Sequence, residues 1–440
     1  MDSLSAKQRE VYDAVTGQGA QSVMITGAAG TGKTYLLQRI IRTMRNRGKR
    51  VCVTGSTGVA ALAVSGMTLH SFAGIGPWKK GSERKEMRST RGALVRESRE
   101  EAEFRGRAVV YRKVRFSQAR ERWWKCDMLV IDEISMISAD LFDMLEWLAK
   151  KMRSDLRPFG GIQLVLCGDF LQLPPVGSPH MAFEAECWGR CLGGGTHELT
   201  QNHRQGEDKL LAQLLQRARV GRIGGGHVAT LARCVRAPTK PAVVLCPLRH
   251  QTQRVNTRNL AALSGAAKTY AATDRGPKKH LIEKTCLAPT HLHLKVGARV
   301  MLLANVDIHH GMVNGSTGTV VSVTDGVYPS VLFDSKKAPK YPVTVQPYTW
   351  QHTNGCDETV LAERKQVPLM LGWAVTIHKS QSMTMDSVVV HLDKLFETGQ
   401  CYTALSRVRS LDGLFLVGRV HRHMFKANEK AVKYYKTIVV

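Results

Sequence analysis

The chain is short of negative charge. Its 440 residues hold 36 Asp and Glu against 63 Lys and Arg, a formal net charge of +27. Such an excess favours a polyanionic partner, nucleic acid first and an acidic membrane surface second. No apolar run reaches the roughly 18 residues of a membrane-spanning helix, so membrane-embedded classes drop out. The opening MDSLSAKQRE lacks the apolar core of a signal peptide and the Arg-rich, acid-free character of a transit peptide. Cysteine is ordinary at 10 residues, and Cys187 and Cys191 have no second closely spaced pair with which to hold zinc. Cys52, Cys167 and Cys246 lie in apolar stretches, the pattern of buried free thiols. That pattern points to a reducing intracellular compartment; which one stays open, with a nucleus or a bacterial or viral-host cytoplasm expected ahead of a mitochondrion. No repeat of fixed short period is visible. What is present, 43% hydrophobic and 22% charged residues, describes a soluble globular chain long enough for two to four domains.

The first third alternates strand-like and helix-like runs. SVMIT (22–26) stops at Gly27. Leu36, Leu37, Ile40, Ile41 and Met44 then share one helical face, and Gly48 can cap it. VCVTG (51–55), MLVID (128–132) and IQLVLCGD (162–169) read as buried strands. Apolar strands separated by amphipathic helices imply a parallel sheet covered on both faces. Residues 77–125 break the rhythm, with 16 Lys or Arg against 7 Glu, and read as a basic surface insertion. A second α/β region begins near Leu199. Residues 289–363 are short β-rich runs broken by Gly, Asn, Asp and Pro, the pattern of a small barrel. From Gln366 the α/β character returns.

GAAGTGKT, from Gly27 through Ala28, Ala29, Gly30, Thr31, Gly32 and Lys33 to Thr34, fits G-x-x-x-x-G-K-[ST] between a predicted strand and a predicted helix. Its backbone N–H groups would cradle phosphates at a helix N-terminus. Lys33 would reach the β- and γ-phosphates, and Thr34 would give its hydroxyl to Mg²⁺. At the end of MLVIDE, Asp132 would serve the metal and Glu133 would orient and deprotonate a water. The plain alternative is an ordinary capping Asp-Glu pair. GDFLQLPPV offers Gln172 as a sensor of the γ-phosphate. LTQNHRQ and TALSRVRS offer Arg204 and Arg407, two arginines of the second α/β region that could reach a nucleotide held by the first. Each arginine alone would pass for a surface or ion-pair residue.

TGSTGVAALAVSGMTLHSFAGIG (54–76), LVIDEISMI (129–137), RPFGGIQLVLCGDFLQLPPV (157–176), LGWAVTIHKSQSMTMDSVVV (371–390) and GQCYTALSRVRSLDGL (399–414) resemble, in order, the motifs of the PIF ("petite integration frequency") helicases. These are RecD-related 5′→3′ DNA helicases of superfamily one. The resemblance runs from LSAKQ at 4–8 to the end of the chain. It implies two RecA-like P-loop parallel-sheet domains, 1–76 with 125–198 and 199–288 with 364–440. A wedge insertion, 77–124, would interrupt the first, and an SH3-like β-barrel, 289–363, the second. It implies that Gln8 recognises adenine. It places Thr57, His70 and Phe72 in one single-strand contact stretch and Thr376, His378, Lys379 and Ser380 in the other. Hydroxyls and N–H groups suit phosphates, and rings suit bases, yet Phe72 and His70 would serve equally as core residues. Trp123 and Trp124 could stack on DNA or pack under the sheet. The implied cofactors are ATP and Mg²⁺. The implied partners are single-stranded DNA, single-to-double-strand junctions and four-stranded guanine DNA, met as a monomer or a DNA-induced dimer. The family serves replication, repair, recombination and telomere maintenance, among which these residues do not choose. The lack of long extensions suggests a minimal core.

Two departures from the family stand out. Ser382 follows the Gln of HKSQ where the family usually has Gly, and at φ > 0 a serine costs about 1 kcal/mol. The wedge-position insertion is longer and more basic than usual. Two rival readings remain. One is a DNA-binding scaffold with a dead ATPase, against which the full set of motor residues argues. The other is a RecD-like translocase subunit or relaxase motor, for which no nuclease-like acidic cluster or preceding relaxase domain is found.

Overall fold

The computed structural model describes residues 4–64, 66–75, 99–277, 279–307, 310, 312–324, 327–334, 338–353 and 360–438. Its first sheet is parallel and six-stranded. The strands are β1 (Val23–Gly27), β2 (Val51–Gly55), β3 (Met67–Thr68), β4 (Met128–Asp132), β5 (Gln163–Cys167) and β6 (Thr196–Leu199), in the order β3-β2-β4-β5-β1-β6. Every residue of β1, β2 and β4 is buried, as a sheet covered on both faces requires. The Lys33–Asn46 helix covers it with the face read from the sequence, Leu36, Leu37, Ile40, Ile41 and Met44, and Gly48 follows its end at φ 75. The Ala139–Arg153 helix starts where the Ser138 hydroxyl accepts from Leu141 N, and it buries Leu141, Phe142, Leu145 and Leu148. Cys167 and Cys246 are buried free thiols. Cys52 is equally buried but disulfide-bonded, so the free-thiol expectation fails there.

The second sheet is also parallel, in the order Ala374–Thr376, Val243–Cys246, Val388–His391, Leu414–Val417. The β-rich unit between its strands is antiparallel and draws strands from beyond 289–363. Lys268–Ala271 pairs with His291–Leu294, Thr273–Arg275 with Val360–Gln366, and Leu369–Leu371 with Arg299–Leu302. Strands this short carry little periodicity, so their partners show only in three dimensions.

Of the basic insertion, 77–98 lies outside the described residues. The rest forms two helices, Arg99–Arg115 and Ala119–Lys125. Trp123 is fully buried against Phe72, with ring centroids 4.7 Å apart, and its Nε1 donates to the Ala73 carbonyl at 3.3 Å. Trp124 is 66% exposed and Phe116 82%.

The two α/β halves do not separate where the sequence suggests. Leu199 closes β6 of the first sheet, so the second domain begins after it. The final helix, Glu429–Ile438, was expected on the second domain but buries Ala431 and Tyr435 in the first domain's core. The Tyr435 hydroxyl lies 2.7 Å from Thr26 Oγ1, accepts from Phe170 N at 3.0 Å and donates to Asp169 Oδ1 at 3.3 Å. Arg219, on the Lys209–Arg219 helix, holds the fully buried Asp169 by two hydrogen bonds of 3.0 Å, donates to Glu198 and lies over the Tyr435 ring.

This cluster sets an order of stability. Arg219→Met leaves a buried carboxylate without its counter-charge and should cost about 3–5 kcal/mol. Tyr435→Phe removes one shared hydroxyl and should cost about 1–3 kcal/mol. Thermal unfolding of both variants beside the parent checks that Arg219→Met lies lower.

Candidate functional site

Parallel strands end together, and the functional loops of the first domain leave that common edge. Gly55 lies beside Asp132 across β2 and β4, and Ile25 beside Cys167 across β1 and β5. The loop after β1 is therefore next to the acidic pair after β4 and the GDFLQ run after β5. Residues of both domains line one cavity of about 490 Å³ there, including Gln8, Gly30, Lys33, Thr34, Glu133, Gln172, Arg204 and Arg407. That volume suits a nucleotide.

The phosphate-type loop has the expected backbone. Gly27 has φ 143, and a Cβ there would stand 2.3 Å from the Leu199 carbonyl oxygen. Gly30 has φ 86, and its Cβ would stand 2.5 Å from that of Arg204. Lys33 Nζ donates to the carbonyls of Gly27 (2.7 Å) and Ala28 (3.0 Å), so the ammonium lies over the loop. The Thr31 hydroxyl closes the loop by donating to Ala28 O at 2.9 Å. Gln8 is fixed by a capping box in which Ser5 N donates to its Oε1 at 3.0 Å. That leaves its Nε2 2.8 Å from where a Cβ on Gly32 would be.

Asp132 is buried and lies behind Glu133, whose N–H donates to it at 2.9 Å. Burial and then the neighbouring Glu133 charge push the Asp132 carboxyl up to about 7. Gln172 is buried at the cavity wall, and Gly399 of the second domain presses on its carbonyl. Arg204 stands on the connector after β6 rather than within the second domain. Its Nη1 donates to the Ser406 carbonyl at 2.9 Å, while Asn202 and His203 beside it bond to the carbonyls of Ala29 and Gly30. Burial and then repulsion from Arg407 pull the Arg204 pKa down to about 9. Arg407 does come from the second domain. It is buried and donates to Thr403 O, Ser380 O and Ser406 Oγ at 2.8, 3.1 and 2.7 Å.

Comparison with known proteins places this arrangement. A family model for an AAA domain matches residues 3–235, and one for the 2B domain of DNA helicase Pif1 matches residues 279–323. The human ATP-dependent DNA helicase PIF1 is 40% identical over 425 residues, 93% of this chain; the chain spans 60% of that protein's length. The crystal structure of Pif1 helicase from Candida albicans is 34% identical with a TM-score of 0.73, covering 99% of this chain and 100% of that one. The chain belongs to the Pif1 helicase family. A Bacteroides Pif1 helicase crystallised with ADP-AlF3 and single-stranded DNA is 26% identical with a TM-score of 0.63, covering 99% and 97% of the two chains.

The DNA-side expectations divide. Phe72 has no exposure, so its ring packs on Trp123 and offers no face to a base; that expectation is corrected. Thr376 and Ser380 are corrected likewise. Both are buried and their hydroxyls close a turn, Thr376 accepting from Lys379 N at 3.2 Å and Ser380 donating to Ile377 O at 2.8 Å. His378 and Lys379 project from that turn half-buried, and burial followed by the nearby Arg249 charge lowers both pKa values. Arg249 carried no motif signal. Thr57 is partly exposed and accepts from Ala60 N at 3.2 Å; His70 is partly exposed and burial lowers its pKa.

Other members of this Pif1-type site were also passed over. Tyr402 is buried and its hydroxyl accepts from the phosphate-loop amide Ala29 N at 2.9 Å. Its place in the GQCYTALSRVRS run was the available signal. Arg409, in the same run, lines the cavity, as do His203 and Tyr35. Ser382 has φ 65, the left-handed conformation that suits glycine, and its hydroxyl donates to Glu133 Oε1 at 3.1 Å.

If Phe72 is core, Phe72→Ala should destabilise the fold by about 3–5 kcal/mol. Denaturant unfolding should show that loss, and single-strand affinity measured well below the unfolding midpoint should stay within about twofold.

Proposed function

We propose that the chain is an ATP-driven motor that tracks along single-stranded DNA 5′→3′ and separates duplex ahead of it. The observation that carries this reading is a cavity lined from both α/β domains, in which the phosphate loop, Glu133, Gln172, Arg204 and Arg407 meet. A nucleotide held there touches both domains, so binding draws them together and hydrolysis releases them. The Gly27–Thr34 loop holds the phosphates, Lys33 turns from the loop carbonyls to the γ-phosphate, and Gln8 offers its amide to the adenine ring. Glu133 orients and deprotonates the attacking water, while Arg204 and Arg407 neutralise charge that builds on the transferred phosphoryl group. Gln172, with Gly399 against its carbonyl, reports the state of the γ-phosphate to the second domain.

Thr34 and Asp132 fit Mg²⁺. Burial disfavours the Asp132 anion, and a cation offsets that cost, while the partly exposed Thr34 lines the cavity. Bound there, Mg²⁺ would supply charge neutralisation to the nucleotide's phosphates.

Thr57 and His70 on the first domain, with His378, Lys379 and Arg249 on the second, support a strand lying across both. The exposed Phe116 and Trp124 stand among Arg112, Lys113, Arg115, Arg120 and Lys125, a mixture of rings and cations suited to DNA at a junction. Folded guanine quadruplexes are a further substrate suggested by the family.

ATP hydrolysis should rise when single-stranded DNA is added, and Lys33→Ala should lower it by about two orders of magnitude or more. Duplexes with a 5′ tail should be unwound and those with a 3′ tail should not; the reverse result refutes the polarity. Stimulated hydrolysis with no unwinding would leave a translocase. Affinity for the strand should fall linearly on a log scale with salt, with a slope of about −0.7 per phosphate neutralised.

A further inference from the structure

Two residues from opposite walls of the cleft have left-handed backbone without being glycine, Glu133 at φ 53 and Ser382 at φ 65. Such backbone is strained for any residue that carries a Cβ, and it persists where neighbouring contacts hold it. Here the two are joined to each other: the Ser382 hydroxyl donates to Glu133 Oε1 at 3.1 Å across 249 positions of sequence. The bond is made to the carboxylate assigned above to the attacking water. A hydroxyl on Oε1 occupies one of its acceptor directions and draws the carboxylate toward the second domain. A glycine at 382 would relieve the strain and could not make this contact.

Ser382 also lies at the end of the turn that presents His378 and Lys379. That turn is tied internally, with Ser380 N donating to Thr376 O and Lys379 N to Thr376 Oγ1. It is tied to the cavity by Arg407, which donates to Ser380 O. A load placed on His378 and Lys379 by the phosphates of a strand therefore reaches Ser382 through a few short bonds.

We propose that Ser382 is a positioning residue that latches Glu133 when no DNA is bound, and that a single strand seated on the His378–Lys379 turn releases the latch. The proposal rests on the reading that Glu133 activates water for ATP hydrolysis. It makes part of the DNA dependence of hydrolysis in this chain a property of one hydroxyl.

The test compares the parent chain, Ser382→Ala and Ser382→Gly, measuring kcat and KM for ATP without DNA and with saturating oligothymidylate. Alanine removes the hydroxyl and keeps the backbone strain; glycine removes both. The latch requires both variants to raise the DNA-free kcat about 2–10-fold, the worth of one ordinary solvent-exposed hydrogen bond. The KM for ATP should hold steady and the stimulation by DNA should shrink. A DNA-free kcat of Ser382→Ala at or below the parent value overturns the proposal. So does a rise in Ser382→Gly alone, which assigns the effect to relieved strain. If the parent hydrolyses ATP under DNA stimulation, those outcomes bear on the latch alone. If it hydrolyses none with or without DNA, the motor reading falls and the latch with it.

Discussion

The backbone of Gly27–Gly32 is gripped from several sides at once, and the rest of the cleft takes its position from that grip. The Leu199 carbonyl and the Arg204 side chain press where Cβ atoms on Gly27 and Gly30 would lie. The connector after β6 bonds to the loop carbonyls of Ala29 and Gly30, and Tyr402 of the second domain accepts the Ala29 amide. A loop that must keep its remaining N–H groups for phosphate can be fixed only through carbonyls, steric contact and the one spare amide. Glycine is what lets neighbouring chains come close enough to do it.

That grip also joins the domains. The connector carrying Arg204 lies on the loop, reaches the Ser406 carbonyl and then enters the helix that carries Arg219. Arg219 returns to the first domain at Asp169, where the final helix brings Tyr435. Asp169 lies in the run that supplies Gln172, and Thr26, the other partner of Tyr435, directly precedes Gly27. The second domain is thus fastened to the first at its entrance and at its exit, both beside the phosphate loop.

Most of the first sheet was legible because five-residue apolar runs between amphipathic helices have few other folds open to them. The phosphate loop, Glu133 and Gln172 were legible because their chemistry fixes residue type and spacing over a few positions. Other parts were hidden for physical reasons. Asp169, Arg219 and Tyr435 are charged or polar residues whose mutual burial depends on contacts up to 266 positions apart. Phe72 lies in a motif associated with DNA, and only its packing on Trp123 shows that the ring belongs to the core. Thr376 and Ser380 carry hydroxyls suited to phosphate but use them to close their own turn. The β unit draws strands from outside 289–363 because antiparallel pairing imposes no sequence distance on the partners.

The same turn explains why the buried residues of its motif are as important as the half-buried ones. His378 and Lys379 are the half-buried part of the turn, but a flexible loop would pass nothing on from them. Thr376 and Ser380 stiffen the turn through their own hydroxyls, and Ser380 passes its carbonyl to Arg407, whose guanidinium faces the cavity. Arg407 is in turn held by Thr403 and Ser406, in the segment beside Tyr402 and the phosphate loop. The turn that carries His378 and Lys379 and the arginine at the cavity are therefore two ends of one hydrogen-bonded unit. Substituting either buried hydroxyl would loosen that unit without removing a contact to DNA or to nucleotide.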